Sequence, residues 1–186
     1  MSEPRGKGTK AVAVVLSGVG VAIILCIGGV VAIAAPKFMR FQDRSWQSEC
    51  KSNLRSIATA ERAFYEEHAR FSPKYAEVGF LPEKGNRYQY RLGPGALGDE
   101  AFPVDTTRSP DAVPALLDAA LPPALQAKLG VKGTCPECEL TASCAGNLDS
   151  DDVLDVWSIT VGFQKDGEGY SSVSGQLTQH VDDAAR

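Results

Sequence analysis

Basic runs are absent from this chain. Its 19 lysines and arginines stand against 23 aspartates and glutamates, for a net charge of −4. Nucleic-acid binding rests on lysine and arginine gathered at phosphates, so no nucleic-acid partner is expected. Histidine is scarce as well: only His68 and His180 occur, far apart in sequence. Neither is flanked by a motif that would make it a base, and no nucleophile, base and orienting group stand together. A glycine-rich phosphate loop of the strand-turn-helix kind is also missing. The expectation is therefore a protein that is not an enzyme. Cys135-Pro136-Glu137-Cys138 is the lone C-x-x-C, and Glu139 stands where a haem attachment would need histidine. Half of a zinc site without a second half holds no metal by itself.

Charge disappears altogether between Ala11 and Ala35, and what remains is a run of 25 residues, mostly apolar. About 20 apolar helical residues cross a hydrocarbon core, so the run is long enough to span a membrane. Arg5, Lys7 and Lys10 precede it while Lys37, Arg40 and Arg44 follow it, so basic residues hardly set the orientation. Cysteine does better, because Cys50, Cys135, Cys138 and Cys144 all come after the run and suit an oxidising compartment. The expected arrangement is a single membrane pass, N-terminus cytoplasmic, C-terminal domain periplasmic or extracellular. A cleaved leader ending at Ala32-Ile33-Ala34 is the alternative, although the run exceeds the 7–15 residues usual for one. The domains read as 1–10, a short cytoplasmic segment; 11–35, the membrane helix; and 36–186, one extracytoplasmic domain.

Beyond Arg40 the apolar residues Cys50, Leu54, Ile57, Ala58, Phe64 and Tyr65 recur at helical steps. No glycine or proline interrupts them before Pro73. Residues 86–92 alternate Tyr/Leu with Arg/Gln, as on a half-buried strand, and Asp111 to Leu129 is expected to be a helix broken at Pro122-Pro123. Val153 to Phe163 and Tyr170 to Thr178 flank a turn-forming Lys165-Asp166-Gly167-Glu168-Gly169 and predict a hairpin. Val181 to Arg186 is expected to be a loose tail. The fold class is α+β: a long N-terminal helix, membrane half and amphipathic half, packed on a small antiparallel β-sheet.

Residues 32–42, AIAAPKFMRFQ, continued by Gln47-Ser48-Glu49 and Lys51-Ser52-Asn53-Leu54, resemble the type IV pilin and pseudopilin family. Residues 85–90, 146–151 and 155–159 resemble a bacterial pilin-like subgroup. The resemblance implies a structural subunit of a type IV pilus or a type II secretion pseudopilus. Its apolar helix would sit first in the inner membrane and later in a filament core. The implied partners are like or related pilin subunits and the pilus or secretion assembly machinery. The family begins its apolar segment with a Gly-Phe junction and carries a glutamate just inside it. Here the region reads Val14-Val15-Leu16-Ser17-Gly18-Val19, and the one basic-glycine junction is Lys7-Gly8-Thr9, so Gly8 is the processing candidate. A membrane-tethered binding module that never polymerises, calcium-dependent or not, is the alternative that these departures favour.

Two further sets of residues carry chemistry. Asn147, Asp149, Asp151 and Asp155, with the Val153 carbonyl between, place oxygens at alternate positions as a calcium loop does. Asp152 replaces its turn glycine and Ser158 its bidentate glutamate, so calcium competes with an ordinary acidic turn. Cys50, Cys135, Cys138 and Cys144 are the disulfide candidates, with three complete pairings open. Cys26 is expected to be a small packing residue, and Gly18, Gly20, Gly28 and Gly29 suit close helix approach.

Overall fold

The computed structural model describes residues 7–83, 85–93, 101–102, 121–148, 153–166, 169–173 and 175–182. The chain divides into two compact units, residues 1–42 and 43–186. Helix α1 runs Lys7–His68. It stops where Ala69 turns left-handed, at φ 53°, with its N–H donating to the Tyr65 carbonyl at 2.7 Å. Pro73 lies beyond and cannot resume the ladder. Helix α2, Tyr75–Val78, is closed by Gly79 in the left-handed conformation glycine adopts freely. Helix α3, Pro123–Gln126, starts on a proline suited to a first turn.

Seven strands among the described residues make one antiparallel sheet: β1 Gln89–Arg91, β2 Ala101–Phe102, β3 Gly130–Thr134, β4 Glu137–Gly146, β5 Asp155–Asp166, β6 Gly169–Val173 and β7 Leu177–Val181. The two long strands β4 and β5 pair at the centre, with Cys144 opposite Trp157 and Ala142 opposite Ile159. Along its other edge β4 pairs with β3 and then β1, while β5 pairs with β6 and then β7. Strand β2 extends the sheet beyond β1.

Alternation along the strands sorts the two faces. One carries Tyr88, Tyr90 and Leu92, then Leu140, Ala142 and Cys144, then Ile159 and Val161; these share a core with Cys50, Leu54, Ile57, Ala58 and Tyr65 of α1. Each fully buried leucine or isoleucine contributes about 1.5–3 kcal/mol there. The other face carries Ala145 and Val156, which pack with Leu121, Leu125 and Leu129 around α3. The α+β arrangement expected from sequence is thus the one observed.

Four details depart from the expectations. The strand near Tyr90 is buried on both faces, because Gln89 and Arg91 are enclosed along with the tyrosines. The cysteine-bearing stretch 130–146, over which the sequence predicts no strand, is a hairpin; small residues such as Thr141, Ser143 and Ala145 are buried on its second face and erase the alternating pattern. The second arm of the C-terminal hairpin divides into β6 and β7, and Val181 ends β7 before any tail. Of the helix expected over 111–129, residues 111–120 lie outside those described, and α3 begins after Pro122.

Candidate functional site at the seam of helix and sheet

Within residues 43–186 a covalent bond and a buried hydrogen-bond hub fasten α1 to the sheet. Cys50 faces the sheet from α1 because it begins the apolar stripe, and it is bonded to Cys144 of β4 with 6.2 Å between Cα atoms. Both are wholly buried. Cys144 sits between Tyr90 on β1 and Trp157 on β5, so the bond reaches the middle of the sheet. Cys135 and Cys138 form the second disulfide across the β3–β4 turn. That turn is tied to α1 where the Tyr65 hydroxyl donates to the Pro136 carbonyl at 2.6 Å, and Tyr65 stacks on Phe163 at 3.9 Å between centroids. Cys26 is a free, exposed thiol.

Asp155 begins β5 at the same seam. Its Oδ2 accepts the Tyr88 hydroxyl at 3.0 Å and the Trp157 indole N–H at 2.8 Å, and its Oδ1 accepts the Gln47 amide at 3.0 Å. The Gln179 amide approaches the same Oδ1 at 3.5 Å, and Gln47 also donates to Asp182. One buried carboxylate thereby joins α1, β5, β7 and the residue before β1. Burial raises its pKa, while the donors, Tyr88 foremost, pull the other way. Gly146 keeps the neighbouring backbone close, since a Cβ there would come within 2.8 Å of the Tyr88 ring. The Asp155→Ala variant leaves the buried Tyr88 hydroxyl and the half-buried Trp157 indole unanswered and Gln47 with Asp182 alone, at about 1–3 kcal/mol for each orphaned donor. Urea unfolding of the purified chain should show a loss of about 3 kcal/mol or more, with Asp155→Asn between that value and wild type.

Of the four calcium candidates, Asn147 and Asp155 are among the described residues. Asn147 is buried just past the end of β4, Asp149 and Asp151 lie outside the described residues, and Asp155 has both oxygens engaged. No cluster of three His, Cys, Asp or Glu side chains occurs among the described residues. Outside the seam, two cations cap the tryptophans that border it: Lys51 lies 4.1 Å from the Trp157 ring centroid and Arg87 3.8 Å from that of Trp46. Sequence reading missed the Asp155 hub because Asp155 follows an acidic turn and was grouped with it.

Residues 1–42 are a different surface. Leu25, Ile27 and Val30 of α1 are 70%, 58% and 66% exposed, and a methyl group added at Gly20, Gly28 or Gly29 meets no atom within 4 Å. Gly8 lies in the first turn of α1. Many side chains of the 11–35 run lie outside those described, and over the described residues no helix is long and apolar enough to cross a membrane.

Comparison with known proteins supplies what the seam alone does not. Residues 41–102, which run from the amphipathic half of α1 through β1 to β2, match the family model of the type IV pilin PilA. The type IV major pilin protein PilA of Myxococcus xanthus is 30% identical over 191 residues, covering 89% of this chain and 84% of that protein. An N-terminal helix packed on an antiparallel sheet agrees with both findings, and the chain belongs to the type IV pilin family.

Proposed function

We propose that this pilin is a structural subunit of a type IV pilus, held in the inner membrane by the 11–35 segment before assembly and packed through that segment with like subunits afterwards. The observation that carries this reading is the similarity to a major pilin along 89% of the chain. It favours a pilus over a secretion pseudopilus. The apolar side chains exposed at Leu25, Ile27 and Val30 support it, since apolar residues exposed close together mark a surface that lipid or another subunit covers. The seam serves the same end by keeping the folded head attached to the helix that polymerises. No catalytic step is assigned. Calcium at Asn147, Asp149 and Asp151 stays a secondary proposal from the residue pattern, with Asp155 held by its own donors.

The test is mechanical shearing of cells that express the chain, followed by electron microscopy and mass spectrometry of the released material. Thin filaments built mainly of this chain are the expected result. A chain that stays wholly with the cell envelope and yields no filament contradicts the proposal and supports the tethered, non-polymerising module.

A further inference from the structure

Glu61 occupies an apolar position. It follows Leu54, Ile57 and Ala58 and precedes Phe64 and Tyr65 in the buried stripe of α1, and its exposure is 0%. Its Oε2 accepts the Ser72 backbone N–H at 3.1 Å, whereas its Oε1 is buried with no donor among the described residues. The chain beyond α1 doubles back to make this contact. Phe71 and Tyr75 enter the core there, the Ser72 hydroxyl donates to Glu77 at 2.7 Å and accepts the Lys74 N–H at 3.1 Å, and Phe80 meets Tyr75 with ring centroids 5.4 Å apart.

Among the described residues, the charged and titratable groups around Glu61 are Arg70, just past α1, with Tyr75 and Glu77 on α2; Tyr90 and Arg91 of β1 act on Tyr75 in turn. Arg70 and Lys74 are drawn to Glu77, at 3.3 and 3.9 Å, and no ion pair to Glu61 occurs among the described residues. A carboxyl with one backbone donor and no cation is held in its neutral form by the cost of burying charge.

We propose that Glu61 is a proton-operated latch: neutral, it closes the 69–80 connection over the end of α1, and ionised, it loosens that connection. Burial pushes the carboxyl up to about 7 from 4.5; the Ser72 N–H opposes this, Glu77 adds to it, and Arg70 opposes it. A group whose folded pKa is raised contributes stability that is complete below its unfolded pKa. Here that contribution is lost as pH rises from about 4.5 through about 7. The surface that responds leads into Leu81, which is 79% exposed. A mildly acidic setting therefore fixes this outer segment, and an alkaline one frees it.

Hydrogen exchange of the full chain in detergent micelles tests the latch, with protection of peptides over residues 69–80 corrected for intrinsic rates at about pH 5.5 and about pH 8.5. Wild-type protection is expected to fall by about tenfold or more across that interval. The Glu61→Gln variant, whose amide oxygen still accepts from Ser72, should keep the acidic value at both. Equal wild-type protection at the two pH values overturns the proposal, as does a glutamine variant that follows wild type. Should that variant not fold, the wild-type Glu61 carboxyl carbon still decides by NMR titration. A midpoint near 7 supports the latch, and one near the ordinary value of 4.5 overturns it.

Discussion

Replacing Cys50 and Cys144 together by alanine is expected to lower the stability of the head by about 4–5 kcal/mol, the loop-entropy value for a cross-link that closes roughly 95 residues. The two cysteines are 94 positions apart, whereas Cys135 and Cys138 are separated by three. The same relation gives the short bridge only about 2 kcal/mol. Burial adds to the contrast, because Cys50 and Cys144 sit at 0% exposure in the core that joins α1 to the sheet. Thermal melting of the full chain under non-reducing conditions should show the first double variant falling by about 10–15 °C and the Cys135→Ala, Cys138→Ala variant by less than half of that. Equal losses for the two pairs would contradict a seam held by the long bridge.

A lysine at Ile27 is expected to abolish filaments. Ile27 lies centrally in the uncharged run, and its side chain is 58% exposed on α1. A charge at the middle of a membrane helix costs about 2.5–3.5 kcal/mol on insertion scales. In a filament core the same lysine recurs in every subunit with no acidic residue from Ala11 to Ala35 to pair with it. Sheared filament should drop about a hundredfold or more, a factor that corresponds to about 2.7 kcal/mol. The melting temperature of the head should stay where it was, since residues 43–186 form a unit of their own. Ile27→Leu is the control that keeps filaments. Undiminished filaments from the lysine variant would place subunit contacts elsewhere than on the apolar segment.

Much of this architecture is written in local pattern. The stripe from Cys50 to Tyr65 specifies a helix with one buried side, and that side meets the sheet as its period requires. The hairpin around Lys165 is legible for a similar reason, since strong β-formers flank a glycine-rich turn. What escaped was long-range. No local signal tells Cys50 to choose Cys144, because the choice depends on β4 lying under the second half of α1. Strand β4 itself, with buried Thr141 and Ser143 opposite Ala142 and Cys144, lacks the alternation that reveals a strand. Asp155 looked like a member of an acidic turn until Gln47, 108 positions away, proved to be its donor. Glu61 also escaped, although its spacing carries a local signal: it lies four residues after Ile57 and four before Tyr65, inside the apolar stripe.

The central claim is that this pilin polymerises through the apolar part of α1 while the disulfide-bonded seam keeps its head folded outside. Helical reconstruction of the sheared material by electron cryomicroscopy measures this most directly. The predicted result is a filament whose axis is a bundle of α1 segments, with Leu25, Ile27 and Val30 covered by neighbouring copies and the sheets arrayed around it. A filament joined through the heads alone, with those three side chains uncovered, would contradict it.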